Sequence, residues 1–551
     1  MDGQKCSVND KKLTFIFFGI FAVLMALLLY KIHYGFPYEE SFHISTALRF
    51  LNGDIMLLHE WHGSQMSFVW LEPVVALYLK INGSTEGIAL FCRTVFAVFW
   101  GVCTLFVYYR ARAISGLGAL LTGTVLMLFV PTEQMSIYYN TIAPMFLLMA
   151  CLIIVTAQRW KMVQYTAAGI LYAVTVTCCP YLASAIVIFT VCVVIDLIRK
   201  NRRYVTIWAG LAAGCVIALT VFVIICLSRA PLSSYLETVP MIFSDREHQT
   251  DFLMKPLEYF YDIMLSTIPA AVVVVISLIV TFYVRYRKAS DLAMKGLVAQ
   301  CILMAVLLVS CIVQGRNVNY YMFAPVLTGF YAVICFGDDT DKEIFRFVWI
   351  PGLIYSFALH MTTNMGFVTF AAAFLISVAA GLIIISRHIV LVRSKAVLTV
   401  LICTLLLFCG MLLDRRIRYV FCEGTDTPMS SYVNHGMAKG IHVSDASYAS
   451  YEKLSRDLEL IKNDTSAERV LVVSTESWTY VELGMKVGTY TTWAQILEPQ
   501  LLMTYYDMFP DMMPDVIYID PNYRDVSPYF ELMGYGGEDT AEGGIILRRG
   551  K

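Results

Sequence analysis

The feature that most constrains this chain is the repetition of long apolar runs separated by short basic or polar turns. A helix needs roughly 20 predominantly apolar residues to cross a bilayer core of about 30 Å. Runs of this kind lie at 13–30, 88–109, 114–131, 139–158, 163–178, 180–198, 205–228, 260–284, 293–313, 318–336, 345–361, 366–386 and 395–413. No water-soluble core accommodates so much apolar chain: of 551 residues 58% are hydrophobic and only 15% charged, far from the balance of a soluble domain. The sequence predicts a polytopic α-helical membrane protein of about 13 spans.

The segment 66–80 is the one that decides the topology. Its 15 residues reach only about 22 Å as a helix and include Glu72 and Pro73. We read it as a second interfacial or re-entrant helix within a first external loop at 31–87. With 13 spans and residues 1–12 as a cytoplasmic tail, the clusters Arg110/Arg112, Arg159/Lys161, Arg199/Lys200/Arg202/Arg203, Arg285/Arg287/Lys288 and Arg387/Arg393/Lys395 all fall on the cytoplasmic side. Counting 66–80 as a span would put most of them outside. The run at 13–30 follows Lys5, Lys11 and Lys12 and shows no small-residue cleavage site, so it is expected to remain as a span. A formal net charge of -1 and the lack of a Lys/Arg-rich run argue against nucleic acid as a partner. Of 15 cysteines, only Cys6 and Cys422 lie clearly outside apolar runs, so they read as packing residues rather than a disulfide or metal framework.

From residue 414 to 551 the composition turns polar and charged. A helical pattern at 446–462 precedes strand candidates RVLVVST (469–475), DVIYID (515–520) and GGIILRR (543–549). This predicts a small extracytoplasmic α/β domain. No glycine-rich phosphate loop follows the first strand, so no nucleotide site is expected.

Polar residues of the external loops should converge on one face of the membrane. The first loop contains GFPYEESFHISTALRFLNGD (35–54), in which Glu39 and Glu40 open a helix whose apolar stripe is Ile44, Ala47, Leu48 and Leu51. Ser41 is a suitable cap, Gly53 a suitable stop, and Ser45 and Arg49 fall on the opposite side, as in a helix lying along the interface. The same loop carries His59, Glu60 and His62, a weak pattern for a metal site. Further candidates are Glu133, Tyr138, Tyr139 and Asn140 of PTEQMSIYYNT, then Asp245, Arg246, Glu247 and His248 of the loop 229–258. The turn QGRNVNYYMFAP adds Arg316, Tyr320 and Tyr321. An arginine at an external boundary suits a lipid phosphate, either as substrate contact or as headgroup anchor, and the two tyrosines suit an interfacial aromatic belt.

The order of these parts resembles the GT-C superfamily of membrane glycosyltransferases, in particular relatives of protein O-mannosyltransferases and the lipid A aminoarabinose transferase. The resemblance rests on the first span, the acidic pair, the helix ending Leu-Asn-Gly-Asp, the Pro-containing short helix, Arg93, the Tyr-Tyr-Asn-Thr segment at 138–141 and the segment 316–325. It implies transfer of a sugar from a polyprenyl-phosphate carrier to a lipid, glycan or protein acceptor on the extracytoplasmic face of a plasma membrane. Glu39 matches the first acidic position, usually Asp, which is the general base, and Glu40 matches the second; either carboxylate is a candidate base. One base and direct displacement imply inversion. Arg316, or a bound divalent cation, would offset the charge of the leaving phosphate. Glu60, Glu133, Tyr139, Asn140, Tyr320, Tyr321 and His248 are the remaining substrate-contact candidates, with 229–258 as a lid and the C-terminal domain positioning acceptor. Two other classes fit a many-span chain: a transporter or lipid flippase, and a non-catalytic scaffold. Concentration of ionisable residues at one external face, rather than at the bilayer midplane, favours the enzyme.

Overall fold

The computed structural model describes residues 8–200, 202, 204–243, 253–265, 268–287, 290–313, 322–362, 373–389, 392, 394–464, 466–493 and 498–550. Among these residues nine helices are long and apolar enough to cross a membrane: Lys11–Lys31, Ile88–Arg112, Gly116–Glu133, Tyr139–Thr156, Pro180–Ile198, Val205–Arg229, Leu292–Val313, Asp339–Met361 and Lys395–Arg418. The other four expected spans also contain helices. Phe323–Phe336 and Leu375–Ile389 are apolar but have only 14 and 15 residues. Lys161–Cys178 and Ile268–Arg287 are helices of 18 and 20 residues.

The bundle has two ends. At one end Arg110 donates to Gln164 at 2.8 Å, Arg387 to Asp341 at 2.8 Å, and the Ser115 and Ser386 hydroxyls meet at 2.8 Å. At the other end lie the first loop, residues 131–138 and the C-terminal sheet. Two helices of the bundle touch backbone to backbone because Gly210 and Gly214, spaced as in small-residue membrane packing, face Tyr165–Thr166 and Thr166–Ile170. A Cβ at Gly214 would lie 2.1 Å from the Thr166 carbonyl oxygen, and one at Gly169 would lie 2.3 Å from that of Leu211.

Within the first loop, residues 66–80 form no span: a 3-10 helix Gln65–Trp70 is followed by an α-helix Glu72–Asn82 of 11 residues. The preceding helix, Tyr38–Leu51, corrects two expectations. It starts one turn before Ser41, with Pro37 at its N-cap, and the Ser41 hydroxyl donates back to the Tyr38 carbonyl instead of capping the helix. Residues 40–50 are all buried, on both faces. The apolar face packs on the membrane helices. The polar face meets the C-terminal region, where Ser45 and Thr46 share the Thr492 hydroxyl at 3.0 and 2.9 Å. Arg49 donates to Asp54 at 2.7 Å, Glu60 at 2.9 Å, the Thr489 carbonyl at 2.6 Å and Tyr505 at 2.9 Å.

The C-terminal sheet has five strands in the spatial order Lys486–Val487, Arg469–Val473, Val516–Ile519, Ile545–Arg549, Tyr535–Asp539. The first three are parallel, and the last two join antiparallel. Alternation along Arg469–Val473 sends Val470 and Val472 to one face, with Leu454, Leu458 and Ile461 of the helix Asp445–Lys462. Leu471 and Val473 face Leu502, Tyr505 and Phe530 on the other. Both faces are covered, as a sheet with a parallel half requires.

Candidate functional site

Seven parts of the chain converge on a cavity of about 410 Å³. The helix Tyr38–Leu51 contributes Glu39, Phe42 and His43, the following loop His62 and Gln65, and the Tyr139–Thr156 helix Tyr139 and Asn140. Tyr181, Ile242, Leu359 and, from the C-terminal region, Trp493 complete the wall. The volume suits a sugar-sized ligand, and the lining is mostly aromatic and aliphatic with a few polar atoms.

The two adjacent glutamates have opposite fates. Glu40 is buried against Arg93, whose Nε and Nη2 approach Glu40 Oε2 at 2.7 and 2.6 Å, while Oε1 accepts the Met135 N–H at 2.8 Å. Arg93 spends its other donors on the carbonyls of Ile32 and Gly35 at 3.0 and 2.9 Å, which pins the chain leaving the first helix. Both Glu40 oxygens are thus engaged, one by Arg93 and one by the Met135 backbone. Glu39, half-buried in the first helical turn where negative charge is favoured, lines the cavity and accepts a hydrogen bond from the Gln134 side chain. Gln134 is presented by an unusual loop in which Thr132 and Glu133 have φ of 54° and 61°. Such left-handed residues cost of order 1–3 kcal/mol each and persist where neighbours hold them. Here Glu133 is held by Arg416, and Gln134 by Glu39.

The polar residues that line the cavity beside Glu39 include Asn140, His62 and His43. Asn140 is buried, and its Oδ1 has no hydrogen-bond partner among the described residues. The His62 Nδ1 accepts the Ser64 N–H at 3.2 Å, which leaves its proton on Nε2. His43 bonds Ser136 through Nδ1 at 3.0 Å.

Of the residues singled out in the sequence, Glu39, His62, Tyr139 and Asn140 come together at this cavity. Glu60 does not line it: it is 0% exposed and paired with Arg49, and burial raises its pKa. Glu133 is likewise buried, against Arg416. His59 turns away to accept the Ile55 N–H at 2.9 Å, and burial pushes its pKa down to about 4. Among the described residues no group of three or more His, Cys, Asp or Glu side chains is placed to hold a metal ion. His248, Arg316, Tyr320 and Tyr321 lie outside the described residues.

Sequence reasoning passed over His43, Gln134 and Trp493. His43 had a signal, since it falls four residues after Glu39 and so shares its helical face. Gln134 was overshadowed by the charge of Glu133, and nothing local marks Trp493.

Comparison with protein-family models and with curated proteins finds no match. Among solved structures the chain is similar to ArnT from Cupriavidus metallidurans bound to undecaprenyl phosphate, at 13% identity over 97% of each chain and a TM-score of 0.40. It is also similar to the archaeal oligosaccharyltransferase AglB from Archaeoglobus fulgidus in complex with an inhibitory peptide and a dolichol-phosphate. That likeness is at 9% identity over 98% of this chain and 74% of that one, with a TM-score of 0.41. At these TM-scores the likeness is loose.

Proposed function

We propose that this protein transfers a sugar from a polyprenyl-phosphate carrier to an extracytoplasmic acceptor, with inversion, using Glu39 as general base. The observation that carries the reading is the division of labour in the acidic pair: Glu40 is consumed by Arg93 and Met135, whereas Glu39 faces a sugar-sized cavity. A base of this kind needs to come within about 2.6–3.2 Å of the hydroxyl proton it removes. As the acceptor oxygen bonds the anomeric carbon, its proton passes to Glu39, and the anomeric C–O bond breaks with its electron pair leaving on the polyprenyl phosphate. Gln134 keeps the carboxylate aimed into the cavity, and Asn140 and His62 offer acceptor and donor atoms to sugar hydroxyls.

The aromatic wall of Phe42, Tyr139, Tyr181 and Trp493 suits the apolar face of a sugar ring. Trp493 gives the C-terminal region a direct part in the site, as an acceptor-positioning element. The carrier tail has a place beside the cavity: an apolar groove of about 670 Å³ lined by Tyr172, Leu182, Ile186, Phe189 and Ile354 runs down the bundle from the Pro180–Leu182 turn. Arg316, Tyr320 and Tyr321 remain the proposed contacts of the leaving phosphate, and His248 a proposed lid residue. The N-terminus is cytoplasmic and the cavity extracytoplasmic in this reading.

The test is release of undecaprenyl phosphate by the purified protein from undecaprenyl phosphates carrying glucose, mannose, galactose or an aminopentose, with water or an added glycan as acceptor. Release above a protein-free control is expected. Absence of release from every donor, with carrier translocated across proteoliposomes instead, overturns the reading in favour of transport.

A further inference from the structure

His43 is one helical turn beyond Glu39, so the two side chains share a face, and both line the cavity. Its ring is firmly held. Phe68 and Tyr138 stack against it with centroids 4.9 and 4.5 Å away and interplanar angles of 25° and 21°. Nδ1 is fixed by the Ser136 hydroxyl at 3.0 Å. Among the described residues Nε2 has no hydrogen-bond partner, although the residue is only 2% exposed. Packing alone does not call for an imidazole here. A phenylalanine would fill the same slot between Phe68 and Tyr138 without taking a polar nitrogen out of water.

We infer that His43 is a substrate-binding residue whose Nε2 exchanges a hydrogen bond with a hydroxyl group of the donor sugar or of the acceptor, beside the Glu39 carboxylate. The inference rests on the glycosyl-transfer reading of the cavity. A hydroxyl is favoured over a phosphate on two grounds. The Ser136 hydroxyl both donates and accepts, so either tautomer of His43 is available and Nε2 can play either role, which matches a hydroxyl and is wasted on an accept-only phosphate. A phosphate also calls for a cation, and burial together with the nearby His62 pushes the His43 pKa down to about 3, so the ring is neutral at working pH. A neutral ring of this kind neither gives nor takes the transferred proton, which leaves that role with Glu39.

The test compares His43→Phe, which keeps the ring stack, with His43→Gln, which keeps a group able to donate and accept. Each is assayed for hydrolysis of the undecaprenyl-phosphate sugars named above without acceptor and for transfer with acceptor, at pH 6 and pH 8. His43→Phe is expected to lower kcat/KM roughly tenfold, the scale of one lost neutral hydrogen bond, by the same factor at both pH values, and His43→Gln to recover most of it. Loss in both hydrolysis and transfer assigns the hydroxyl to the donor sugar, and loss in transfer alone assigns it to the acceptor. Wild-type kinetics in a folded His43→Phe protein overturn the inference alone, as does a loss that changes with pH. No turnover by the wild-type protein overturns it together with the glycosyl-transfer reading.

Discussion

Replacing Arg49 with methionine should loosen the C-terminal region from the membrane helices. The guanidinium is the shared partner of Asp54, Glu60, the Thr489 carbonyl and Tyr505, so it ties the first-loop helix to segments more than 400 residues away. Methionine keeps much of the volume and removes every donor. Asp54 retains Arg469 at 3.6 Å, but Glu60 keeps only neutral donors, the N–H of His62 at 3.1 Å, that of Thr492 at 3.4 Å and the Thr491 side chain. Breaking a buried ion pair by removing one partner costs about 3–5 kcal/mol. Glu60 has one escape, protonation, towards which burial already biases it. A carboxyl with a raised folded pKa holds its proton where the unfolded chain has lost it, so stability falls as pH rises between the two values. The penalty of Arg49→Met is therefore larger at pH 8 than at pH 5, and adding Glu60→Gln should return part of it at pH 8. Melting followed by tryptophan fluorescence in detergent should show a drop of about 3–4 °C at pH 8. A melting temperature within about 1 °C of wild type at pH 8, on that same scale, would refute the reasoning.

Two further outcomes are expected. Gly214→Val should disrupt packing of Lys161–Cys178 on Val205–Arg229, because its Cβ would lie 2.1 Å from the Thr166 carbonyl oxygen, whereas Gly410→Ala meets nothing within 4 Å; monodispersity and melting of the two purified variants separate them. Glu476 has its pKa pushed up from 4.5 to about 7, by burial first, with Asp520 adding to it, while Trp478 donates to the carboxylate at 2.8 Å. The folded chain then keeps a proton that the unfolded chain releases, and stability falls as pH climbs from 4.5 to about 7. Glu476→Gln should gain about 1–3 kcal/mol at pH 8 and nothing at pH 4; an equal effect at both pH values would count against this account.

What could be read from the sequence depended on how local the cause was. The strand Arg469–Val473 announces itself as a β-branched run between polar residues, while Tyr535–Asp539, with its two glycines and two acids, is a strand only because Ile545–Arg549 pairs with it. The helix Tyr38–Leu51 was legible from its apolar stripe, yet its polar face read as a water face. Periodicity reports which side is apolar, not what meets the other side, and here Thr489, Thr492 and Tyr505 meet it from far along the chain. The acidic pair stood out, but the difference between Glu39 and Glu40 arises from Arg93, Met135 and Gln134, none of them local. Apolar runs gave the spans, and their count fell short where helices are only 14 or 15 residues long.

The central claim is that Glu39, and not Glu40, removes the acceptor proton. The most direct measurement is the single-turnover rate of undecaprenyl phosphate release with saturating donor for wild type, Glu39→Gln and Glu40→Gln, each shown to be folded by its melting profile. Loss of a general base predicts a fall of at least about 100-fold for Glu39→Gln with an unchanged melting profile. Glu40→Gln should act chiefly by lowering the melting temperature, since Arg93 and Met135 lose a charged partner. A folded Glu39→Gln protein that releases carrier at the wild-type rate would contradict the account.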